Sequence, residues 1–399
     1  MNYRLSAVLC TMCIVYVSVA QNMTNLPTSM YGVGELSTND GGQYAGMGNI
    51  GIALNRTGFH NTQNPAAITH MDSTCFSFDI GVMGSYARYS FLSARSSNLS
   101  GNPNRLNIGF RVLPRWYAMI GASPYSSVGY VIQTEEDIAG TANSAVYSLF
   151  EGNGGLYKFY ATNAFALSKH LSVGANIGFV SGTVTQSETQ EKATVQYESS
   201  KKALYADLGI YYELSVGKRN WAAGIVYAPS TKINQDNKLT YSNNSIDEGL
   251  DESYHNRAQY LPQRFGAGIS MTTERWAWTA DYNYLDWSRN YSSYTSMKYQ
   301  NQHKMNLGGI FTTNPRLPRS TELMGGVGFS NSYIMLKGGK MRYLEVSAGA
   351  SFPIRYSYLS LGATWRKQIN SRSNLMQESR LSINLNLTFG ERISKSKLR

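Results

Sequence analysis

Long apolar segments are the first feature that this sequence lacks. Beyond residue 20 there is no uninterrupted apolar run of the roughly 18 residues that a membrane-spanning helix requires. The mean hydropathy is slightly negative, at −0.31, and charged residues make up only 15% of the 399 positions. A membrane protein built from helices is therefore excluded.

Cysteine is almost as scarce, and its placement bears on the expected compartment. Two of the three cysteines lie in residues 1–20, which have the features of a secretory signal peptide: Arg4 near the start, an apolar stretch over 5–19 and a small residue at Ala20. Cleavage after Ala20 leaves Cys75 as the only cysteine, so no internal disulfide can form. The sequence therefore predicts an exported chain with residues 1–20 removed.

The chain also lacks the residue groupings of a nucleic-acid-binding protein, a metalloprotein or an enzyme. The formal charge is +11, but Lys and Arg are spread over turns and links and form no basic cluster with stacking aromatics. The five His residues show no metal-ligand spacing, and no Ser/His/acid arrangement can be read. We expect no nucleic acid, metal, cofactor or catalytic residue, and interpret the basic charge as suited to outer-membrane lipid and lipopolysaccharide.

Aromatic residues and glycine are abundant. The chain contains 29 Tyr, 14 Phe, 6 Trp and 37 Gly. Tyr and Trp favour a boundary between an apolar and a wet environment, so this composition indicates β structure at a membrane interface. The six tryptophans are predicted to belong to two interfacial belts: Trp116, Trp221, Trp276, Trp278, Trp287 and Trp365.

Strict alternation of apolar and polar residues is the strongest signal of fold. Near the C-terminus, five apolar residues alternate with polar ones: Leu381, Ile383, Leu385, Leu387 and Phe389. Successive side chains of a strand point to opposite faces, so one face here is apolar and the other polar. The same pattern occurs over 171–179 and 344–352. In a membrane barrel the apolar face contacts lipid and the polar face lines the lumen.

The links between the predicted strands have two lengths. We interpret the chain as about 14 strands, an even number as in bacterial barrels. Short turns at positions such as Pro114 and Glu274 alternate with longer polar links, at 96–103, 133–155, 185–192, 233–261, 289–301, 332–340 and 369–375. Membrane barrels have short periplasmic turns and long extracellular loops. The sequence therefore predicts an all-β fold, a transmembrane antiparallel β-barrel over 74–399.

Residues 21–73 do not alternate and are rich in Gly, Asn and Thr. A large barrel leaves an aqueous channel unless other residues fill it. We therefore predict that 21–73 forms an N-terminal hatch that plugs the lumen.

Two stretches of sequence resemble a known family. Residues 41–48 are followed by Asn64-Pro65-Ala66-Ala67, and a second segment runs from Leu261-Pro262 to Trp287-Ser288. These stretches resemble the FadL-type family of outer-membrane transporters for long-chain fatty acids and other hydrophobic compounds. The resemblance covers the hatch, one hairpin and the overall arrangement of the strands. It assigns a hatch motif to Gly46, Gly48, Asn64, Pro65 and Ala66.

The resemblance implies passive uptake of hydrophobic molecules by a bacterial outer-membrane protein, which we expect to be a monomer. In that family the ligand enters a lumenal pocket near the mature N-terminus and leaves sideways through a kink in a strand. Two alternatives stay open. A related hatch-bearing barrel acts as the cargo shuttle of type IX secretion, so a secretion-associated interaction role is the second hypothesis. An outer-membrane lipid hydrolase is the third.

Whether a side chain faces lipid or lumen depends on its odd or even position in the strand, here called strand parity. Strand parity turns seven charged side chains toward the predicted lumen: Arg111, Lys158, Asp207, Arg264, Asp281, Glu345 and Arg380. Among them, Arg111, Lys158 and Arg264 are candidates to bind a fatty-acid carboxylate, since Arg and Lys are its natural partners. The alternative is that the inward charges pair with one another and with the hatch, as buried charges usually do.

Overall fold

A computed structural model describes most of the chain: residues 26–37, 42–56, 58–71, 75–91, 94–137, 145–243, 246–253, 258–292, 294–317, 319–354, 357–370 and 376–392. The predicted signal peptide and the predicted boundary between hatch and barrel lie outside these ranges. Within them, no helix has both the length and the apolar character needed to cross a membrane.

The described residues form fourteen barrel strands, three of which are interrupted. The strands are β1 Cys75–Phe91, β2 Ala94–Leu113, β3 Trp116–Asp137, β4 Ala145–Ala166, β5 Leu171–Gln190, β6 Ala193–Val216, β7 Arg219–Ala228 and Lys232–Asn243, β8 Ile246–Ser253, Gln259–Tyr260 and Gln263–Thr272, β9 Trp276–Asp286, β10 Met297–Tyr299 and Gln302–Thr312, β11 Glu322–Leu336, β12 Gly339–Ile354, β13 Ser357–Asn370 and β14 Gln377–Arg392.

The sheet closes on itself. Strands that follow one another in sequence pair antiparallel around the wall. The last strand, β14, pairs with β1 over its whole length, from Gln377 opposite Ser90 to Arg392 opposite Cys75. Closure leaves no exposed strand edge. The predicted antiparallel β-barrel is confirmed.

The outer face of the wall is apolar and the inner face is polar. In β14, Leu381 and Ile383 are 44% and 55% exposed on the outside, whereas Asn384 and Asn386 are each 2% exposed. The buried polar side chains face the lumen. The exposed apolar side chains are suited to contact with lipid rather than with water. The predicted inside-outside alternation is therefore confirmed, with the polarity that a membrane barrel requires.

The strands are longer than the sequence predicts, and the longest predicted links are wrong. The link predicted at 133–155 is mostly strand, because β3 extends to Asp137 and β4 begins at Ala145. Most of the link predicted at 233–261 is also strand. Apolar and polar residues do not alternate regularly in these stretches, so periodicity does not reveal them. Strand β6, with 24 residues, is more than twice the roughly 9–11 that cross the hydrocarbon.

The two ends of the barrel differ. One end carries the short turns that join β2 to β3, β6 to β7 and β8 to β9, together with the end of β14. We call it the lower end. The other, upper end carries the extensions of β3 to β8 that the sequence predicts as loops.

The wall is interrupted where β7 and β8 meet. Strand β7 breaks at Pro229, Ser230 and Thr231, and β8 breaks at Leu261 and Pro262. Proline has no backbone N–H and cannot donate to a ladder. Two bonds bridge the break: Leu261 N donates to the Thr231 carbonyl and Ser230 Oγ to the Leu261 carbonyl, both at 2.8 Å. We call these five residues the wall break.

The described residues 26–37, 42–56 and 58–71, here the N-terminal segment, lie inside the barrel. They contain three 3₁₀ helices, Pro27–Met30, Gly42–Met47 and Pro65–His70, and a short strand, Glu35–Leu36, paired with β3. The helix Gly42–Met47 contacts β10 to β14, whereas Pro65–His70 contacts β3 to β6. The segment therefore reaches both sides of the lumen.

One tryptophan predicted for the interfacial belts lies inside instead. Trp287 is fully buried and stacks on Tyr333, with ring centroids 4.5 Å apart. It directly follows the last residue of β9, Asp286, so strand parity no longer decides its direction. Trp276 and Trp278, by contrast, are exposed on the outer face and stack on each other.

Candidate lumenal binding site

The Asn64 side chain makes hydrogen bonds to three parts of the molecule: the following helix, the chain around Ile52, and β6. It caps the helix Pro65–His70, since its Oδ1 accepts a hydrogen bond from Ala66 N at 3.0 Å. Its Nδ2 donates to the carbonyls of Ile52 and Ile210, at 2.8 and 3.1 Å. Proline suits the first helical position, where its missing N–H needs no partner. The Asn-Pro-Ala part of the hatch motif is therefore an anchor between the N-terminal segment and β6.

Asp281 of β9 holds the middle of the N-terminal segment. Its Oδ2 accepts hydrogen bonds from Gly51 N at 2.8 Å and Ile52 N at 2.9 Å. A little further on, Ser270 Oγ donates to the Ala53 carbonyl at 2.7 Å. Parity predicts the inward direction of Asp281, but not its partners, which are more than 200 residues away in sequence. The carboxylate satisfies two backbone donors that are otherwise buried without a partner.

Close backbone contacts explain the glycines of the hatch motif and of the wall opposite it. A Cβ on Gly46 would lie 2.7 Å from the Cα of Gly349. Gly48 has a φ of +78°, which favours glycine. On the wall, a Cβ on Gly174 would lie 2.5 Å from the carbonyl carbon of Pro65. Small residues therefore let the segment press directly against the sheet.

Replacing Gly174 by Val is expected to unseat the Pro65–His70 helix while the barrel still forms. The overlap with the Pro65 backbone cannot be relieved by a rotamer change, and overpacking of this kind costs roughly 1–3 kcal/mol. Amide hydrogen exchange over residues 64–70 should accelerate by about one to two orders of magnitude. Gly84→Val is the matched control, because the atom nearest to a Cβ on Gly84, the Ser100 carbonyl oxygen, is 4.0 Å away. Unchanged protection in Gly174→Val contradicts the prediction.

A buried charged cluster lies next to the helix Gly42–Met47. Arg105 Nη1 contacts Asp79 Oδ2 at 3.3 Å, and its Nη2 donates to Thr62 Oγ1 at 2.6 Å. His60 Nε2 lies 2.6 Å from Ser77 Oγ, and burial lowers the pKa of His60 to about 4. His60 is therefore neutral at pH 7. Within the described ranges, no group of His, Cys, Asp and Glu side chains is arranged to hold a metal ion.

A cavity of about 170 Å³ separates the N-terminal segment from the wall break. We call it the lower cavity. Leu36, Asn49 and Gln63 line it from the segment, and Pro229 and Pro262 line it from the break. An apolar cavity of about 150 Å³ is known to accommodate benzene. The lower cavity is therefore large enough for a single aromatic ring or one end of a longer chain.

Two of the three cations predicted to bind a carboxylate line the lower cavity. Lys158 is 7% exposed, and its Nζ lies 5.3 and 5.1 Å from the ring centroids of Tyr160 and Tyr205. Arg264 contacts Asp207 Oδ2 at 3.4 Å, in agreement with the alternative that inward charges pair. Arg111 is exposed near the lower end and does not line this cavity.

Lys304 also lines the lower cavity, and the sequence analysis missed it. It lies in the second part of β10, shortly after the link predicted at 289–301. Met305 and Leu307 are exposed on the outer face, so alternation along the strand turns Lys304 toward the lumen.

Glu35 joins the N-terminal segment to β13 and β14. Its Oε1 lies 2.6 Å from Arg380 Nη1 and 3.8 Å from Arg366 Nη1. Arg366 Nε also lies 3.5 Å from Glu345 Oε1, and Arg380 Nη2 lies 3.0 Å from Glu378 Oε1. All five side chains are largely buried. This network fixes the part of the segment that borders the lower cavity from above.

A second cavity, of about 430 Å³, lies toward the upper end. Met30 and Gly32 of the N-terminal segment line it from below. Six aromatic residues line it together with polar side chains such as Lys201: Tyr130, Phe150, Tyr197, Tyr291, Tyr294 and Tyr299. We call it the upper cavity. Residues 31–36, here the partition, lie between the two cavities.

Known structures share this architecture. The structure titled "CymD monoaromatic hydrocarbon channel" matches with a TM-score of 0.61 and 16% identity, over 91% of this chain and 99% of its own. The toluene transporter TodX of P. putida matches with 0.61 and 14%, over 88% and 98%. A FadL homologue of Pseudomonas aeruginosa matches with 0.56 and 12%, over 87% and 97%. These proteins are titled as channels, transporters or transporter homologues rather than as enzymes. No curated protein matches this chain in sequence.

The closed barrel has the same fold as these hydrocarbon channels and the FadL homologue, so the predicted resemblance is confirmed at the level of the fold. A sequence-family model described as BamG matches residues 1–397. The chain therefore belongs to the BamG family.

Proposed function

We propose that this chain is an outer-membrane channel for the passive uptake of hydrophobic compounds, long-chain fatty acids among them. The observation that carries the proposal is the placement of the lower cavity directly against the wall break. Channels and transporters titled for hydrocarbons and toluene share the fold, which supports the same class of ligand here. The proposal includes removal of residues 1–20, residues 21–73 as hatch, and a monomeric barrel.

The direction of the proposed ligand route follows from the orientation of the barrel in the membrane. Short turns face the periplasm in outer-membrane barrels, so the lower end is periplasmic and the upper end is outside the cell. A ligand enters the aromatic upper cavity, passes the partition and reaches the lower cavity. It then leaves through the wall break into the membrane. A lateral exit keeps an apolar solute out of periplasmic water, where its hydration is unfavourable.

Uptake by cells tests the proposal directly. A bacterial host without its own fatty-acid transporter is given the full-length gene, and uptake of radiolabelled oleate and toluene is compared with the empty vector. We expect uptake of at least one of the two to rise several-fold. Equal uptake with and without the gene, at equal amounts of folded barrel in the outer membrane, contradicts the proposal. Copurification with a secretion translocon supports the secretion-associated alternative instead.

A crosslink between β6 and the β7 side of the wall break tests the lateral exit, because the β6–β7 ladder is interrupted there, between the pairs Lys202–Asn234 and Leu208–Tyr227. Thr231 Oγ1 already donates to the Leu204 carbonyl at 2.6 Å. A disulfide between Leu204→Cys and Thr231→Cys, in a Cys75→Ser background, is therefore expected to close the exit and reduce uptake at least tenfold, with recovery on reduction. The control disulfide joins Ile210→Cys to Ile225→Cys, paired residues of the uninterrupted β6–β7 ladder. Equal uptake with both disulfides contradicts a lateral exit at this place.

A further inference from the structure

An apolar groove runs along the outer face of β8 to β11. It consists of two adjoining hollows, of about 630 and 570 Å³. Four side chains line both hollows, so the groove is continuous: Ile269, Ala280, Leu307 and Val327. Nearly all of its walls are hydrocarbon or aromatic surface, and it lies outside the barrel, away from the lumenal cavities.

The groove fits within one membrane leaflet. On β8 it extends from Ala267 to Met271, which is roughly 13 Å along the strand at about 3.3 Å per residue. Barrel strands are tilted by roughly 35–45°, so the groove spans about 10 Å of the roughly 30 Å hydrocarbon core. Its lower end lies at Trp278, two residues above the first residue of β9. The groove therefore occupies the leaflet next to the short turns and does not reach the opposite one.

Basic residues surround the lower end of the groove. The turn between β6 and β7 carries exposed Lys218 and Arg219, the turn between β8 and β9 carries exposed Arg275, and the link between β10 and β11 carries exposed Arg316. Glu274 is the acidic residue among them. Cations at this level face the phosphates of lipid headgroups whose acyl chains lie above.

We propose that this groove binds one glycerophospholipid of the periplasmic leaflet, with an acyl chain in the groove and its phosphate against the basic rim. The proposal rests on the outer-membrane location and orientation given above. The groove belongs to the leaflet of the short turns, and this selects a phospholipid over lipopolysaccharide, whose acyl chains occupy the other leaflet. The stacked Trp276 and Trp278 rings, 5.3 Å apart, suit the boundary between headgroup and chain.

Native mass spectrometry of the detergent-purified barrel tests the proposal. The protein is delipidated and then exposed to phosphatidylglycerol or to purified lipopolysaccharide. We expect one phospholipid to be retained. Gly325→Phe should reduce its occupancy at least tenfold, because Gly325 lines the groove and the atom nearest to an added Cβ, the Ser347 carbonyl oxygen, is 4.0 Å away. Gly84→Phe is the matched control, since Gly84 is equally open on the outer face of β1, and it should retain the lipid.

Two further variants keep the test decisive. Ala280→Phe blocks the same groove from β9, so the result does not depend on the folding of one variant. Arg219→Gln with Arg275→Gln should weaken phosphatidylglycerol retention about tenfold without blocking the groove. Equal retention by Gly325→Phe, Ala280→Phe and Gly84→Phe overturns the proposal. Preference for lipopolysaccharide, or a second copy of the chain held at the groove, also overturns it. Uptake of hydrophobic compounds is measured separately, and its absence counts only against the proposed function.

Discussion

Replacing Lys158 by Met is expected to weaken the binding of a long-chain fatty acid roughly 10- to 100-fold and to leave toluene binding unchanged. A hydrogen bond to a charged partner contributes about 1.5–3 kcal/mol, and each 1.4 kcal/mol is a factor of ten in affinity. Lys158 lines the lower cavity, where its Nζ is held between two tyrosine rings. Toluene has no carboxylate, so it does not use this charge. Binding is measured by isothermal titration in detergent.

The comparison between the two ligands separates a specific site from general damage to the cavity. Lys202→Met is the matched control, because Lys202 is exposed and does not line the lower cavity. Equal weakening for oleate and toluene in Lys158→Met indicates that the cavity has changed shape. No weakening for either ligand places the carboxylate elsewhere, with Lys304 as the next residue to replace.

Replacing Glu35 by Gln is expected to release the partition from the wall. The substitution removes one carboxylate from a buried network with Arg366 and Arg380. Breaking a buried ion pair on one side costs about 3–5 kcal/mol, because the remaining charge stays desolvated. Amide exchange over residues 31–36 should therefore accelerate roughly 100-fold or more. A released partition should also speed passage between the cavities, so uptake should rise and discriminate less between ligands.

An exposed glutamate provides the control for this prediction. Glu274→Gln removes the same charge at the lower end, where Glu274 is exposed, and should change neither exchange nor uptake. Exchange in the barrel strands reports whether Glu35→Gln has damaged the fold as a whole. If residues 31–36 remain protected in Glu35→Gln, the network does not hold the partition.

Sequence analysis identifies part of the site, and the parts that it misses share one cause. Lys158 and Arg264 are found by parity alone, because each lies within a regular strand and must face the lumen. Glu35 is not found, since it belongs to a segment without periodicity. Trp287 is misplaced for the same reason, as it follows the end of β9. Parity gives the direction of a side chain only where the backbone is regular.

Sequence analysis assigns Asn64 to the hatch motif but does not predict the hydrogen bonds that it makes. Its cap on the helix Pro65–His70 is a local interaction among neighbouring residues. The second bond of Asn64, to the Ile210 carbonyl, joins residues 146 positions apart and depends on how deeply the segment lies in the lumen. The role of Asp281 is missed in the same way.

The sequence by itself determined the strand number and the face that each regular side chain presents, because alternation with a period of two is a local property of the chain. The closure of the sheet, by pairing of β14 with β1, joins residues about 300 positions apart. Only the tertiary structure decided what lies in the lumen. The N-terminal segment, the two cavities and the charge network at Glu35 arise from contacts between residues tens to hundreds of positions apart. The same holds for the height of the barrel, since strands that leave the lipid lose the apolar face by which a sequence reveals them.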